Sequence, residues 1–171
     1  LSNCCAENDG DIYQIGGDGA FLTWKLSASR KEAKPILCFE DLKRCFFRTR
    51  KRFLSEFGHY PTFKAAAHWG KVIMTEVGNF RSEIAYHGDA INTTSRLQDL
   101  CSRLGEEFLI SRELLQELPN IGKYSPLPKG PFELKGKSSE TFVYALHFND
   151  GEDSPTEISN KGDDDDWKGQ R

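Results

Sequence analysis

The sequence predicts a single α/β domain, and three features support that class. The turn signal GGDG at 16–19 separates two runs with strand character, 11–15 and 20–26, and so predicts a β-hairpin. Apolar residues recur at helical spacing over 38–57, which predicts an amphipathic helix ended by Gly58. The composition, with 37% hydrophobic and 29% charged residues among 171, is typical of a globular chain with a core.

The remaining elements alternate between strands and helices. Residues 63–77 are predicted as one long strand bent at Gly70, because Val72 and Ile73 favour extended backbone despite three consecutive alanines. Asp89 is predicted to be the N-cap of a helix that Gly105 ends. Its apolar face comprises Ala90, Thr94, Leu97, Cys101 and Leu104, with Ile91 and Leu100 at the edges. Other predicted elements are strands at 83–86, 107–110, 124–127, 132–134 and 141–148 and a helix at 111–118 capped by Ser111.

Two stretches are predicted to lie outside these elements. Residues 1–10 are polar and irregular, and residues 149–171 are acidic and hydrophilic. We therefore expect a domain over 1–148 and a disordered tail or linker over 149–171. The sequence begins at Leu1 rather than Met, so we expect it to be a piece of a longer protein. It has no apolar run of the roughly 18 residues that span a bilayer, so we expect membrane attachment only through segments outside this sequence.

Charge and cysteine content exclude several classes of function. The net charge of −3 argues against a nucleic-acid-binding domain, which needs a basic face. The five cysteines are odd in number and form no CxxC pair, which argues against a disulfide framework and a zinc site. A reducing, cytoplasmic location fits this usage better.

The first chemically suggestive motif is the tip of the predicted hairpin. Asp18 lies between glycines, so a phosphate or a Mg²⁺ ion could approach the backbone at Gly17 closely. Taken alone, a Gly-Asp turn is also an ordinary structural feature of hairpins.

The second motif is HGDAINTTSR at 87–96. Asn92 and Arg96 are four residues apart on the predicted helix and share a face turned away from its apolar stripe. An amide can hydrogen-bond a ribose, and a guanidinium can neutralise charge that develops on a phosphate. The structural alternative is a solvated helix face.

The third motif is the basic loop that precedes the last predicted strand. Lys135 and Lys137 flank a glycine there and could reach a triphosphate, although such a turn is also typical of a soluble loop.

Together and in this order, the motifs resemble the signature blocks of class III adenylate/guanylate cyclases of the bacterial type. The blocks are IYQIGGDGAFLTW, FKAAAHWGKV, EIAYHGDAINTTSRLQ and FELKGKSSETFVYAL, and they extend from about Asp11 to Leu146. The most specific of them is GDxxNxxxR, which is Gly88, Asp89, Asn92 and Arg96 here.

The resemblance implies a ferredoxin-like α/β sandwich that works as a head-to-tail homodimer and converts ATP or GTP to a 3′,5′-cyclic nucleotide. Two Mg²⁺ (or Mn²⁺) ions per active site are implied, and Asp18 matches the second metal-binding aspartate. Asn92 and Arg96 match the transition-state residues, Gln14 and Ala85 the purine-selecting positions, and Lys135 or Lys137 the triphosphate-binding lysine.

Two departures from the family pattern leave alternatives open. The block that carries the first metal aspartate is missing from this sequence, so we expect the fold to lack its first strand. Gln14 and Ala85 match neither the adenine-specific nor the guanine-specific pair, and ATP is preferred only because adenylate cyclases are prevalent among bacterial members. The alternatives are a guanylate cyclase, a catalytically degenerate dimerisation module, and a diguanylate cyclase whose GGDEF motif is only partly matched by GGDGAF.

Overall fold

The computed structural model describes residues 1–26, 32–77, 83–118, 121–135 and 140–148. In chain order the elements are α1 (Ser2–Glu7), β1 (Asp11–Gly16), β2 (Gly19–Thr23), α2 (Lys34–Phe57), β3 (Ala65–Ala67), β4 (Ile73–Val77), β5 (Glu83–His87), α3 (Asp89–Leu104), β6 (Phe108–Ser111), α4 (Arg112–Glu117), a 3₁₀ turn (Ile121–Tyr124), β7 (Leu127–Phe132) and β8 (Thr141–Ala145). The predicted tail, 149–171, lies outside the described residues, so the domain boundary stays a prediction.

A mixed four-stranded sheet forms the centre of the fold, with strand order β3-β6-β8-β7. Strand β3 runs parallel to β6, and the other neighbouring pairs are antiparallel. Strands β1 and β2 form one antiparallel hairpin, and β4 and β5 form another. The α/β class predicted from the sequence is confirmed.

Helices cover both faces of this sheet. Successive side chains of β6 point to opposite sides, so neighbouring residues contact different helices. Phe108 lies in one apolar cluster with Phe39 of α2, and its ring stacks on that of Phe39 with centroids 4.4 Å apart. Leu109, the next residue, lies in a second cluster with Leu97 and Leu100 of α3. All four residues of β6 are buried, which is typical of a strand covered on both faces.

Helix α2 is anchored mainly through its N-terminal part, and beyond it through Phe46, whose ring packs against Phe63 with centroids 4.9 Å apart. Its buried residues all lie in the first nine positions and are Ile36, Cys38, Phe39 and Leu42. Farther along, Phe47, Leu54 and Phe57 are exposed by 41%, 42% and 58%. The helix ends as predicted at Gly58, which adopts the left-handed conformation.

The N-terminal parts of the fold differ from the prediction. Residues 2–7 form a helix rather than an irregular segment, because Cys5 is buried against Cys38 and Leu42. These contacting residues are far apart in sequence, and the run LSNCCAEN has no hydrophobic periodicity that would predict a helix. Helix α2 begins at Lys34, four residues before the predicted start, with Pro35 in its first turn, where the missing N–H costs nothing.

Several strand predictions also need correction. The run 63–77 forms two strands, β3 and β4, which belong to different sheets and are separated around Gly70. The two predicted strands at 124–127 and 132–134 are one strand, β7, which tolerates Pro128 and Pro131 because it lies at the sheet edge. The strand predicted for 20–26 ends at Thr23, and the one predicted for 141–148 ends at Ala145.

Within the described ranges, no helix has the length and apolar character required to cross a membrane. All five cysteines are free thiols.

Candidate active site

The turn between β1 and β2 presents a carboxylate on an open backbone. Asp18 is exposed at this turn, beside Gly17 with φ of 59°. No atom of the described residues lies within 4 Å of the position that a Cβ atom would take at Gly16 or Gly17. An oxyanion or a hydrated cation therefore has access to the turn from solvent. Gln14, on β1, is also exposed.

A pair of tyrosines joins this hairpin to the β4–β5 hairpin. The rings of Tyr13 and Tyr86 meet edge to face with centroids 4.7 Å apart, and the backbone N–H of Tyr86 donates to the Tyr13 hydroxyl at 3.3 Å. Ala85, the second purine-selecting candidate, precedes Tyr86 and is half-buried opposite Thr75. The two purine-selecting candidates, Gln14 and Ala85, are therefore direct chain neighbours of this tyrosine contact.

The start of α3 is fixed by two close backbone approaches. A Cβ atom at Gly88, whose φ is 155°, would lie 2.8 Å from the carbonyl oxygen of Lys71. A Cβ atom at Gly70 would lie 2.8 Å from the Cβ atom of Ala90. Glycine is needed at both positions for the helix to begin where it does. The predicted side-chain N-cap is wrong: the N-cap residue is Gly88, and Asp89 is the first helical residue.

Asn92 and Arg96 project from α3 next to a helix face that is held firmly by the core. Asn92 is exposed and Arg96 is half-buried one turn later. The Nη1 atom of Arg96 is buried and has no hydrogen-bond partner among the described residues. A buried donor without a partner costs about 1–3 kcal/mol, so this nitrogen favours an incoming acceptor.

The adjacent face of α3 is buried through Thr93, Leu97, Leu100 and Cys101. Burial of Thr93 was not predicted; its hydroxyl donates to the carbonyl oxygen of Asp89 at 2.9 Å, which satisfies it inside the helix. The Cys101 thiol donates to the carbonyl oxygen of Ala65 on β3 at 3.2 Å. Burial raises the pKa of the Cys101 thiol to about 11, so the group is neutral at pH 7.

Only one of the two candidate lysines lies among the described residues. Lys135 is exposed after the end of β7. Lys137 lies outside the described residues, so the assignment of a triphosphate-binding lysine stays a prediction.

A metal site is only partly present in the described residues. No group of three His, Cys, Asp or Glu side chains is placed there to hold an ion. Asp18 alone nevertheless fits the chemistry of Mg²⁺, which is commonly held by one or two carboxylates together with substrate phosphates and water. Asp18 is therefore a candidate ligand of such a site.

A separate cavity of about 210 Å³ does not coincide with these residues. Lys43, Gly105, Glu106, Glu107, Leu146, His147 and Phe148 line it. None of the candidate site residues is among them, and two carboxylates at its wall make it a poor place for a triphosphate. The motif residues on the open surface remain the better candidates.

Comparison with known proteins identifies the family. The chain is 33% identical to Adenylate cyclase 2 of Rhizobium meliloti (strain 1021) over 139 residues, which cover 80% of this chain and 38% of that protein. The chain belongs to the class III nucleotidyl cyclases. No family model matches it.

Two solved cyclase domains share the fold. The guanylyl cyclase Cya2 aligns with a TM-score of 0.68 at 15% identity over 85% of this chain and 73% of that chain. The adenylyl cyclase CyaB from P. aeruginosa aligns with a TM-score of 0.65 at 19% identity over 86% of this chain and 76% of that chain. At these identities the likeness shows the cyclase fold alone.

The sequence motifs supply the candidate site residues, whose roles stay predictions, but not the residues that contact and position them. Tyr13, Tyr86 and Gly70 carry no recognisable chemistry, and only their contacts show that they position the candidate residues. The sequence does offer one signal for the two tyrosines. The Tyr-Gln and Ala-Tyr pairs in the signature blocks each place an aromatic residue beside a purine-selecting candidate.

Proposed function

We propose that the full-length protein is a nucleotidyl cyclase that converts ATP to 3′,5′-cyclic AMP and pyrophosphate. The observation that carries this proposal is the buried, unpartnered Nη1 atom of Arg96, one helical turn from Asn92, on a helix that matches the most specific cyclase motif. The homology to an adenylate cyclase supports it. The chain spans only 38% of that relative's length, so activity, substrate and assembly are part of the proposal.

The reaction is an in-line displacement at the α-phosphorus. The ribose 3′-hydroxyl loses its proton to solvent and its oxygen forms a bond to that phosphorus, while the bond to the bridging oxygen of the β-phosphate breaks and pyrophosphate leaves. Arg96 donates to the oxygens of the transferring group, where negative charge accumulates. Asn92 hydrogen-bonds the ribose and holds the 3′-oxygen in line with the leaving group.

Asp18 would hold a divalent cation at the hairpin turn, where Gly17 leaves room for a phosphate. Such ions, when bound, stabilise the attacking and leaving oxygens of a phosphoryl transfer. We propose two Mg²⁺ or Mn²⁺ ions per site, with the second carboxylate supplied from outside this sequence. Lys135 or Lys137 would neutralise the β- and γ-phosphates.

The purine of the nucleotide would contact Gln14 and Ala85. Gln14 can both donate to and accept from a purine, whereas Ala85 offers no polar group. A guanylate cyclase is therefore the alternative substrate class. Turnover of ATP and GTP, measured separately with Mg²⁺ and with Mn²⁺, distinguishes the two.

We further propose that two copies assemble head to tail, so that Asp18 of one faces the partner's Asn92 and the partner's Arg96 across a shared nucleotide. Asp18→Ala and Arg96→Ala should each lower cyclic nucleotide formation by the full-length protein by at least about 100-fold. Arg103→Ala is the matched control, because Arg103 is exposed in the last turn of the same helix, and it should retain activity.

Mixing the two inactive variants provides a test of the assembly. A heterodimer of Asp18→Ala and Arg96→Ala subunits contains one site with both changes and one intact site, so activity should return on mixing. An unchanged rate for Asp18→Ala would show that the metal assignment is wrong, and failure to recover activity on mixing would show that the arrangement is wrong. A protein that forms no cyclic product from either nucleotide would be a degenerate dimerisation module instead.

A cytoplasmic location stays a prediction.

A further inference from the structure

The distal part of α2, residues 43–57, has an unusual surface that we call the α2 platform. It contains six basic residues and one acidic residue, for a net charge of +5. Its exposed apolar residues are Phe47, Leu54 and Phe57. At the helical step of about 100° per residue, these three fall within roughly 80° of one another and form a single strip.

Part of the positive charge on the platform is not neutralised locally. Arg44 pairs with Glu40 and Asp41, and Arg52 pairs with Glu56. Arg48 and Lys51 are exposed and make no ion pair with any residue that the structure describes. Both lie on the same side of the apolar strip, so the platform combines unpaired cations with exposed aromatic surface. Such a combination favours an anionic occupant that also has an apolar group.

The chain itself brings such an occupant to the proximal end of the platform. Phe148, the last described residue, packs against Phe39 of α2 with ring centroids 5.1 Å apart. The Nζ atom of Lys43, the first platform residue, lies 5.8 Å from the centroid of the Phe148 ring. The described chain therefore ends next to the platform.

The 23 residues from 149 to 171 complement the platform in charge. They contain eight acidic and three basic residues, for a net charge of −5, with four consecutive aspartates at 163–166 followed by Trp167. An extended chain of this length reaches up to about 75 Å, and the platform is about 21 Å long, so the aspartates can reach every part of it.

We propose that the acidic segment 149–171 binds the α2 platform of the same chain, with its aspartates on Arg48 and Lys51 and Trp167 on the apolar strip. Tethering beside Lys43 gives the segment a high effective concentration at the platform, which a free anionic partner or an anionic membrane lacks. The inference does not depend on the proposed nucleotide chemistry.

Zero-length carbodiimide cross-linking of the full-length protein tests this binding. We expect Lys51 to be joined to carboxylates of 149–171 within one chain, as shown by mixing ¹⁵N-labelled and unlabelled protein. Arg48→Glu retains the reactive lysine but should lower this cross-link about tenfold, as should 0.5 M salt, because the attraction is electrostatic. Arg103→Glu, a charge reversal on an exposed site of α3, is the control and should leave the yield unchanged.

Three outcomes would overturn the proposal. Lys51 would cross-link to the segment no more often than the exposed Lys64 and Lys123 do, or it would cross-link only between chains. In the third outcome the cross-link is absent and the protein sediments with vesicles of phosphatidylserine and phosphatidylcholine. If Arg48→Glu abolishes that sedimentation, the platform binds a membrane instead.

Discussion

Helices α2 and α3 cover opposite faces of the same sheet, but they are held in different ways. Buried residues of α3 extend from Thr93 in its second turn to Cys101 near its end. Buried residues of α2 stop at Leu42, after the first third of the helix. A long stretch of α2 therefore extends beyond the core with aromatic side chains exposed.

This difference indicates what each helix can do. Side chains on the outer face of α3 sit on a backbone fixed by the sheet beneath it and by Gly88 at its start, which is the rigidity that catalytic geometry requires. The distal part of α2 is held less firmly, through contacts such as that of Phe46 with Phe63, and offers an accessible surface instead. The proposed catalytic residues therefore lie on the more rigidly held helix, and the proposed docking surface lies on the more exposed one.

Matched leucine truncations on the two helices should give the largest difference in stability. Leu97→Ala removes a fully buried side chain of α3 and should lower the free energy of unfolding by about 2–5 kcal/mol. Leu54→Ala, at a site of α2 that is 42% exposed, should lower it by less than about 1 kcal/mol. Urea unfolding followed by circular dichroism measures both. Equal losses would mean that the distal part of α2 is as firmly packed as α3.

Matched glycine substitutions compare how the two helices are anchored at one end. Gly88→Ala places a Cβ atom 2.8 Å from a backbone oxygen at φ of 155° and should cost about 1–3 kcal/mol in the free energy of unfolding. Gly58→Ala, at the end of α2, meets no neighbour within 4 Å among the residues that the structure describes, and it carries only the left-handed backbone penalty of about 1 kcal/mol. Thermal unfolding measures these costs.

Activity separates the same two variants further. Displacement of the α3 N-terminus should also move Asn92, so Gly88→Ala should lower cyclic nucleotide formation, whereas Gly58→Ala should not. A Gly88→Ala protein with undiminished stability and turnover would contradict the role assigned to this junction.

The sequence predicts local features of both helices but not their different anchoring. The periodicity over 38–57 correctly indicates an amphipathic helix, and Gly58 and Gly105 correctly mark the two ends. Periodicity does not show that the sheet reaches only as far as Leu42, because that depends on where distant strands pack. Thr93 was missed for a related reason: a hydroxyl that bonds within its own helix can be buried without any apolar signal.

The candidate site shows the same limit of sequence reasoning. Asp18, Asn92 and Arg96 are candidates because their residue types and spacing are tied to chemistry, and their roles stay predictions. The contact between Tyr13 and Tyr86 joins two hairpins 73 residues apart in sequence, and no local pattern encodes it. Separation of 63–77 into strands of two sheets was missed because Gly70 packs against Ala90, a contact that exists only in the folded chain.

The smallest expected effect concerns two carboxylates that follow the end of α3. Burial works to raise the pKa of Glu106, but hydrogen bonds and charge from Lys129 and His147 outweigh it and hold that pKa below its usual range. A carboxyl whose pKa is lowered by folding stabilises the protein above its unfolded pKa, and this contribution disappears as the pH falls through the folded value. Glu107, by contrast, makes an exposed ion pair with Lys43 of α2 at 2.7 Å.

Replacing each of these carboxylates separately completes the comparison. Glu106→Gln should lower the free energy of unfolding by about 1 kcal/mol at pH 7. The loss should shrink toward zero in strongly acidic solution, where wild-type Glu106 becomes protonated as well. Glu107→Gln should change stability by less than about 0.5 kcal/mol at either pH, because an exposed pair contributes little. If urea unfolding shows Glu107→Gln to be the more damaging change, the ion pair of Glu107 with Lys43 is a structural support. In that case α2 is held more firmly than its burial indicates.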